Sequence, residues 1–483
     1  MQADFIISGA RVIDGQGTPG YVADVAVVDD EIVAIGDLNQ WHASHTVQAH
    51  GKVVSPGFID PHVHHDEAVL TDPLLTCMTS QGVTSVINGN CGFSIAPLTK
   101  SGDLPAPLDL ILDDTRPRFQ SYAAYRSALE NDPPAVNSAC LIGHGSLRVN
   151  EVADLSKPAD PIELQRMQRA LDQALSEGGI GLSTGPFYPP ARAATTAELT
   201  AMAEIAQRHG KLYATHMRDE GDHVVDALNE TFQVGRDAQC GVHVSHHKCA
   251  GLANHGMSKV TLPMIEQAMK HQDVGLDTTP WTASATMLNS GRHKQATRVI
   301  VCDSVPYPEM AGRDLADIAQ QWGVDLDEAV DRLIPASGIF FIMDEKDVQR
   351  ILSFEHTIIC SDGIHKGSHP HPRVWGTFPR VLGHYARDMK LFSLEEAVRR
   401  MTSMPADRFG LGRRGRLKVG HFADIVIFDP NTVAERATFD KPVQPASGME
   451  AVYVNGRLVW DGEKATGNRP GRHLDKTVPT QVV

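Results

Sequence analysis

Six consecutive positions, His62 to Glu67, carry three histidines and two carboxylates at the end of the apolar run "SPGFID". Side chains at i and i+2 of a strand point the same way, so His62 and His64 face one pocket and can share a metal. His65 alternates to the other side and stays out of that set. Four further strand-like runs end in residues of similar chemistry. Cys91 closes "INGNCGF", His216 lies in "YATHMRDE", His246 in "VHVSHHK" and Asp362 in "IICSDG". Thiolate, imidazole and carboxylate together favour zinc over magnesium or calcium, which take all-oxygen shells. Each residue alone reads as readily as structural: a lone HxH is weak, and a free Cys is usually a small buried hydrophobe. The same ligand chemistry at several strand ends is hard to credit to chance. Asp362 can ligate zinc or serve as a general base.

Those side chains converge only if the strands line one cavity. Eight candidate strands alternate with helical patterns through the middle of the chain: "PGFIDPHVH", "TSVINGNC", "SACLIGHGSLR", "IGLSTGPFYPP", "KLYATHMRDE", "VHVSHHK", "VGLDTTPW" and "TIICSDG". Between them, "TAELTAMAEIAQRHG" is amphipathic, and Val224, Leu228 and Phe232 share one helical face. Eight such units make a (β/α)8 barrel, whose active site forms at the C-terminal strand ends. Both ends of the chain instead read as short antiparallel strands between turns. The expected organisation is a small β-sandwich domain from residues 1–57 and 414–483, and a barrel over 58–413. Residues 282–345 lack a clean strand pattern and read as an insertion between strands seven and eight, folding on its own and covering the site.

The chain has 483 residues, 42% hydrophobic and 21% charged, the profile of a soluble globular protein. A net charge of −15 argues against nucleic acid or an anionic membrane as partner. The N-terminus reads as a strand rather than a secretion signal. Seven dispersed cysteines without a CxxC pair fit reduced thiols and a cytoplasmic location.

In order along nearly the whole chain, "GFID.H.H", "GVTSVINGNCGFSIAPL", "THMRDEG", "SHHK", "SDG", "HPRVWGTFPRVLGHY", "ADIVIFDP" and "VYVNG" resemble the amidohydrolase superfamily, and within it the N-acyl-D-amino-acid deacylases, or D-aminoacylases. The resemblance implies a (β/α)8 barrel with a small β domain. It implies a tightly held Zn2+ on Cys91, His216 and His246, and a second, weaker metal site on His62 and His64 with Cys91 shared and Asp362 nearby. Many relatives bridge two metals with a carboxylated lysine on strand four. Strand four here, "GLSTGPFYPP", offers no Lys or Glu, which leaves Cys91 for that role. Asp362 is implied as the catalytic base. Tyr188, Lys248 and Arg373 are implied to hold the substrate's α-carboxylate, with Ser284 in the matching region. Phe187, Leu288, Phe340 and Met343 are implied to line the side-chain pocket. The pattern departs from the family at His65, where an acidic residue often follows HxH. His365, His369 and His371 are read as loop residues near the entrance.

The function expected is zinc-dependent hydrolysis of N-acyl-D-amino acids to a carboxylate and a free D-amino acid, preferring Met, Leu or Phe side chains. The alternatives are a D-glutamate or D-aspartate deacylase, with Arg292 or Lys294 reading the second carboxylate, or an amidohydrolase acting on a cyclic amide or D-dipeptide. A catalytically dead assembly barrel should have lost ligands, and a metal-storage role leaves the carboxylate clamp without a purpose. The partner expected is the small-molecule substrate alone, with no nucleic acid and no membrane, and the protein a monomer or small homo-oligomer.

Overall fold

The computed structural model describes residues 1–112 and 118–476. Residues 113–117, inside the expected barrel span, and 477–483, at the expected end of the β domain, lie outside the described residues. The protein is a (β/α)8 barrel. Phe58–Asp60, Val83–Asn88 and Asn137–Cys140 pair in parallel. Ile142–Gly143 continues the third strand and pairs with Gly181–Thr184, followed by Leu212–Thr215, Val242–Val244, Val274–Thr278 and Thr357–Ile359, again all parallel. Gly363–Ile364 then lies beside Val63–His64, bringing the eighth strand back to the first. Such strands are covered on both faces, which is why they read as nearly unbroken apolar runs; every residue of Val83–Asn88 is buried.

The helices outside the barrel follow from caps and spacing. Pro161–Ser176 starts at Asp160, whose carboxylate accepts from the Ile162 and Glu163 amides while Glu163 reaches back to the Asp160 amide. That reciprocal cap, with Pro161 in the first turn, fixes where the helix begins, and Asp160→Ala would cost about 1 kcal/mol. Met167, Leu171, Ala174 and Leu175 are its buried stripe. In Val224–Asp237 the expected face of Val224, Leu228 and Phe232 is buried.

Eight strands from the two chain ends form a single hydrogen-bonded sheet. Ile425–Phe428 runs antiparallel to Val53–Pro56, joining the C-terminal strands to the N-terminal ones. Phe5, Ile7, Val25, Val27, Val54, Ile425, Ile427 and Tyr453 form its own apolar core, with Phe5 stacked on Tyr453 at 4.8 Å. The N-terminal strands are not all antiparallel as expected. His42–Gln48 and Val53–Pro56 run parallel to Gln2–Val12. Hairpin turns leave a local mark in the sequence; a crossover leaves none.

The insertion also differs from expectation. Ala336–Phe341 is the centre of a three-stranded antiparallel sheet, flanked by Ala283–Met287 and Val299–Ser304. Helices Leu315–Trp322 and Leu326–Leu333 follow, capped by Asp314 and Asp325. The central strand, "ASGIFF", is buried on both faces at five of its six positions, so it shows no alternation to read. Among the described residues no helix is long and apolar enough to cross a membrane.

Candidate metal centre and active site

The backbone brings the two ends of the barrel wall together before any side chain is considered. The Asp362 amide donates to the His62 carbonyl at 2.9 Å. Beneath them, buried Asp60 accepts from the His62 and Ser361 amides at 3.3 and 3.1 Å. Three ligand candidates leave their strands in the left-handed region, Cys91 at φ 54°, His246 at 34° and Asp362 at 52°. For residues with a Cβ this conformation costs on the order of 1–3 kcal/mol, and the surrounding barrel must impose it. The end of strand four passes so close that a Cβ on Gly185 would sit 2.1 Å from the Cys91 carbonyl oxygen, which explains a glycine there.

Two groups of ligand atoms result, each gathered within 4.8 Å: His62, His64, Cys91 and Asp362, and Cys91, His216 and His246. Cys91 belongs to both. Its Sγ lies 3.2 Å from His62 Nε2 and 3.2 Å from His246 Nε2. Asp362 Oδ1 lies 3.6 Å from His62 Nε2 and 3.4 Å from His64 Nε2. Tetrahedral ligands about 2.0–2.3 Å from one zinc stand roughly 3.3–3.7 Å apart, so these spacings suit the ion. The hydrogen bonding agrees. Both ring nitrogens of buried His216 have no hydrogen-bond partner. Buried polar groups are normally satisfied, and an imidazole left bare beside a thiol is a donor that a zinc ion would take up. Burial pushes the Cys91 thiol well up, reinforced by Asp362, so loading the site must displace its proton. Burial lowers His246 to about 4 and His216 well below the ordinary histidine value, which keeps both neutral and able to ligate.

A second ring of charge holds these ligands, and most of it was missed in the sequence. Glu220, fully buried, accepts from Lys248 Nζ at 2.7 Å and Arg292 Nη2 at 2.6 Å, and lies 3.0 Å from His246 Nδ1. Burial opposes its charge, but Lys248, His216 and His246 outweigh that and hold it well below the usual carboxylate range. Asp277, in strand seven, accepts from the His246 amide and from His243 Nε2 at 3.0 Å, and stands 3.6 Å from His62 Nδ1. Carboxylates behind metal-ligating histidines fix ring orientation. An acid in the buried strand "VGLDT" was the available signal for Asp277. Glu220 had only its place four residues after His216.

The expected substrate residues gather around this centre. The Tyr188 ring lies 4.8 Å from that of His216, and the Phe187 ring stacks on His216 at 5.2 Å. The insertion sheet supplies Ser284 and Phe340 as direct register partners. Leu288 and Phe340 both approach Gly338, while Met343 lines a small cavity with His247 and Lys248. Arg373 sits against Asp362, Nη1 to Oδ2 at 2.8 Å. His371, expected near the entrance, instead accepts the Arg373 amide at 2.9 Å and is buried. Burial opposes charge on Asp362, yet Arg373, His246, His64 and His62 keep it well below the usual carboxylate range. Arg292, unplaced from sequence, enters the site: it lies 4.9 Å over the Phe187 ring and donates to Ser284 Oγ at 3.3 Å. Lys294, its companion candidate, is turned outward and pairs with Asp327.

A family model described as "Amidohydrolase family" matches residues 45–332 and 328–460. The D-aminoacylase of Alcaligenes xylosoxydans xylosoxydans is 49% identical over 98% of both chains. The N-acyl-D-aspartate deacylase of the same organism is 45% identical over 98% of this chain and 95% of its own. A solved structure of a D-aminoacylase, concerned with its binuclear metal centre, superposes with a TM-score of 0.96 at 50% identity, over 98% of this chain and all of that one. The N-acyl-D-glutamate deacylase of Bordetella bronchiseptica, solved with zinc and a phosphonate mimic of the tetrahedral intermediate, gives 0.95 at 42% identity, with 98% and 100% coverage.

Proposed function

The chain belongs to the amidohydrolase family, and on that premise we propose that it is a zinc-dependent N-acyl-D-amino-acid deacylase. The observation that carries this reading is the Cys91-centred pair of ligand groups, with Asp362 held between His64 and Arg373. Cys91, His216 and His246 would hold the tighter zinc, and His62, His64 and Asp362, with Cys91 in common, would make a second, weaker site. Zinc bound there would supply Lewis acidity towards the amide carbonyl and a water activated at neutral pH.

The remaining chemistry belongs to side chains. Asp362 accepts the attacking water's proton at Oδ1, the oxygen facing His62 and His64, and returns it to the departing amine. Arg373 holds Oδ2 through Nη1, while its buried Nε has no partner and is left for the substrate's α-carboxylate. Lys248 and the Tyr188 hydroxyl complete the carboxylate clamp, and Ser284 lies beside it. Cys91 is occupied as a ligand, so it is no nucleophile. All seven cysteines are buried and unpaired, which supports a reducing compartment such as the cytoplasm.

Phe187, Leu288, Phe340 and Met343 support an apolar D-side chain, and Glu220 already matches the charge of Arg292. One observation favours a second reading. Arg292 also carries a buried Nε without a partner beside Phe187, which suits the side-chain carboxylate of D-glutamate or D-aspartate. Amine release from N-acetyl-D-methionine, its L enantiomer and N-acetyl-D-glutamate, with and without a zinc chelator, separates these. Hydrolysis of the D-methionine substrate alone, lost on chelation, is expected. A preference for D-glutamate that Arg292→Leu abolishes would transfer the pocket to the second reading. Release from none of the three would sink the deacylase.

A further inference from the structure

The histidine that departs from the family pattern lies in a cluster of its own. His65, Cys77 and His365 offer ligand atoms gathered within 4.8 Å, and none of the three belongs to the groups around Cys91. His65 is fully buried, and neither of its ring nitrogens has a hydrogen-bond partner. Leaving a buried polar atom unpaired is costly, so an imidazole with both nitrogens orphaned needs a cause. Its backbone is fixed: the His65 amide donates to Asn88 Oδ1 at 3.0 Å. The ring stands edge-on to that of His365, with centroids 5.5 Å apart. Cys77 Sγ lies 3.7 Å from His365 Nδ1, and the other nitrogen of that ring is 3.5 Å from Asp72 Oδ2. A carboxylate behind a histidine that faces a thiol is the arrangement that orients metal-binding imidazoles.

We propose that His65, Cys77 and His365 form a third cation site, for a borderline divalent ion such as Zn2+, separate from the catalytic pair. Two imidazoles and a thiolate select zinc or cobalt over magnesium and calcium. Cys77 is a buried thiol in the unloaded site, and binding exchanges its proton for the ion. Access is available from a cavity of about 230 Å³ lined by His64, Leu110, Ile111 and His365. The ligands come from either side of the barrel seam. His65 follows the first strand, Cys77 sits in the short helix Thr76–Thr79, and His365 follows the eighth strand. An ion there clips the loop after Asp362 to the loop after His64, across the ladder pairing Gly363–Ile364 with Val63–His64.

The test counts metal and does not depend on turnover. Wild type, His365→Ala and Cys77→Ser are equilibrated with a buffered excess of Zn2+, and bound zinc per chain is measured by atomic emission. Each variant is expected to bind one equivalent fewer than wild type. In Co2+-loaded protein, each should also lose about a third of the near-ultraviolet thiolate-to-cobalt absorption, the two bonds of the shared Cys91 supplying the rest. His365 is partly exposed on a loop, so its variant reports on a folded protein even if Cys77→Ser does not. Unchanged stoichiometry and unchanged absorption in His365→Ala would overturn the site. So would a loss in Cys77→Ser alone, because the site needs both residues.

Discussion

Two regions of this protein bury charge, and they differ in what they leave unfinished. In the first, outside the metal centre, His144, Arg148 and Glu198 form a network in which both charged groups are paired and one imidazole nitrogen, His144 Nδ1, is bare. Glu198 Oε1 accepts from His144 Nε2 at 2.9 Å and Arg148 Nη1 at 2.5 Å, and Oε2 accepts the Ala159 amide at 3.1 Å. The other Arg148 nitrogens donate to the carbonyls of Pro190 and Lys157 at 2.7 and 2.6 Å. In the second, around Cys91, the carboxylates are equally well held but both nitrogens of the His216 ring are bare. Burial of charge therefore does not mark a site. An imidazole with neither nitrogen satisfied, gathered with a thiol and a second histidine, does mark one.

The sharpest break of this comparison is Asp362→Ala. It removes the proton carrier and spares Cys91, His216 and His246, so amine release should fall about 10²–10⁴-fold while zinc on the tighter site remains bound. Near-normal turnover would remove Asp362 from its role. In the His144–Arg148–Glu198 network, Glu198→Gln should cost about 3–5 kcal/mol in denaturant unfolding because it strands Arg148, yet leave KM and kcat unchanged in the folded enzyme. A change in either constant would tie the two regions together.

Acid sharpens the same contrast. Burial raises Glu198, but His144 and Arg148 outweigh it and hold the carboxyl at about 2, against 4.5 unfolded. Its stabilisation is fully present above pH 4.5 and is lost as pH falls through about 2. The gap in unfolding free energy between wild type and Glu198→Gln should shrink by up to about 3 kcal/mol across that window. A constant gap would refute the linkage. The smallest effect is expected from Glu220→Gln, which loosens His246 and Lys248 without removing a ligand. Zinc affinity, measured by competition with a chelator, should weaken about 10–100-fold.

The barrel was legible because its strands end in the residues they deliver. "HVHHDE", "GNCGF" and "SHHK" each join an apolar run to a donor, and spacing alone placed His62 and His64 on one face. Glu220 and Arg292 were not legible in the same way. They are 72 residues apart in sequence and meet only when the insertion folds over the mouth of the barrel. Arg373 was expected on the substrate and is found on Asp362, a pairing that depends on how the helix Arg373–Arg380 docks. The insertion sheet escaped detection because burial on both faces erases the alternation that advertises a strand. His65 showed itself only as an exception to a pattern, and its neighbours came from distant loops.

The seam between the first and last barrel strands also sets an order in time. Cys91, His216 and His246 all exist once residue 246 has been made, but Asp362 reaches the His62 carbonyl about 300 residues after that histidine was synthesised. At roughly 5–20 residues per second, His62 and His64 wait about 15–60 s on the ribosome for the last member of their group. A nascent chain can complete one half of its metal centre well before the other half has a complete set of ligands to offer.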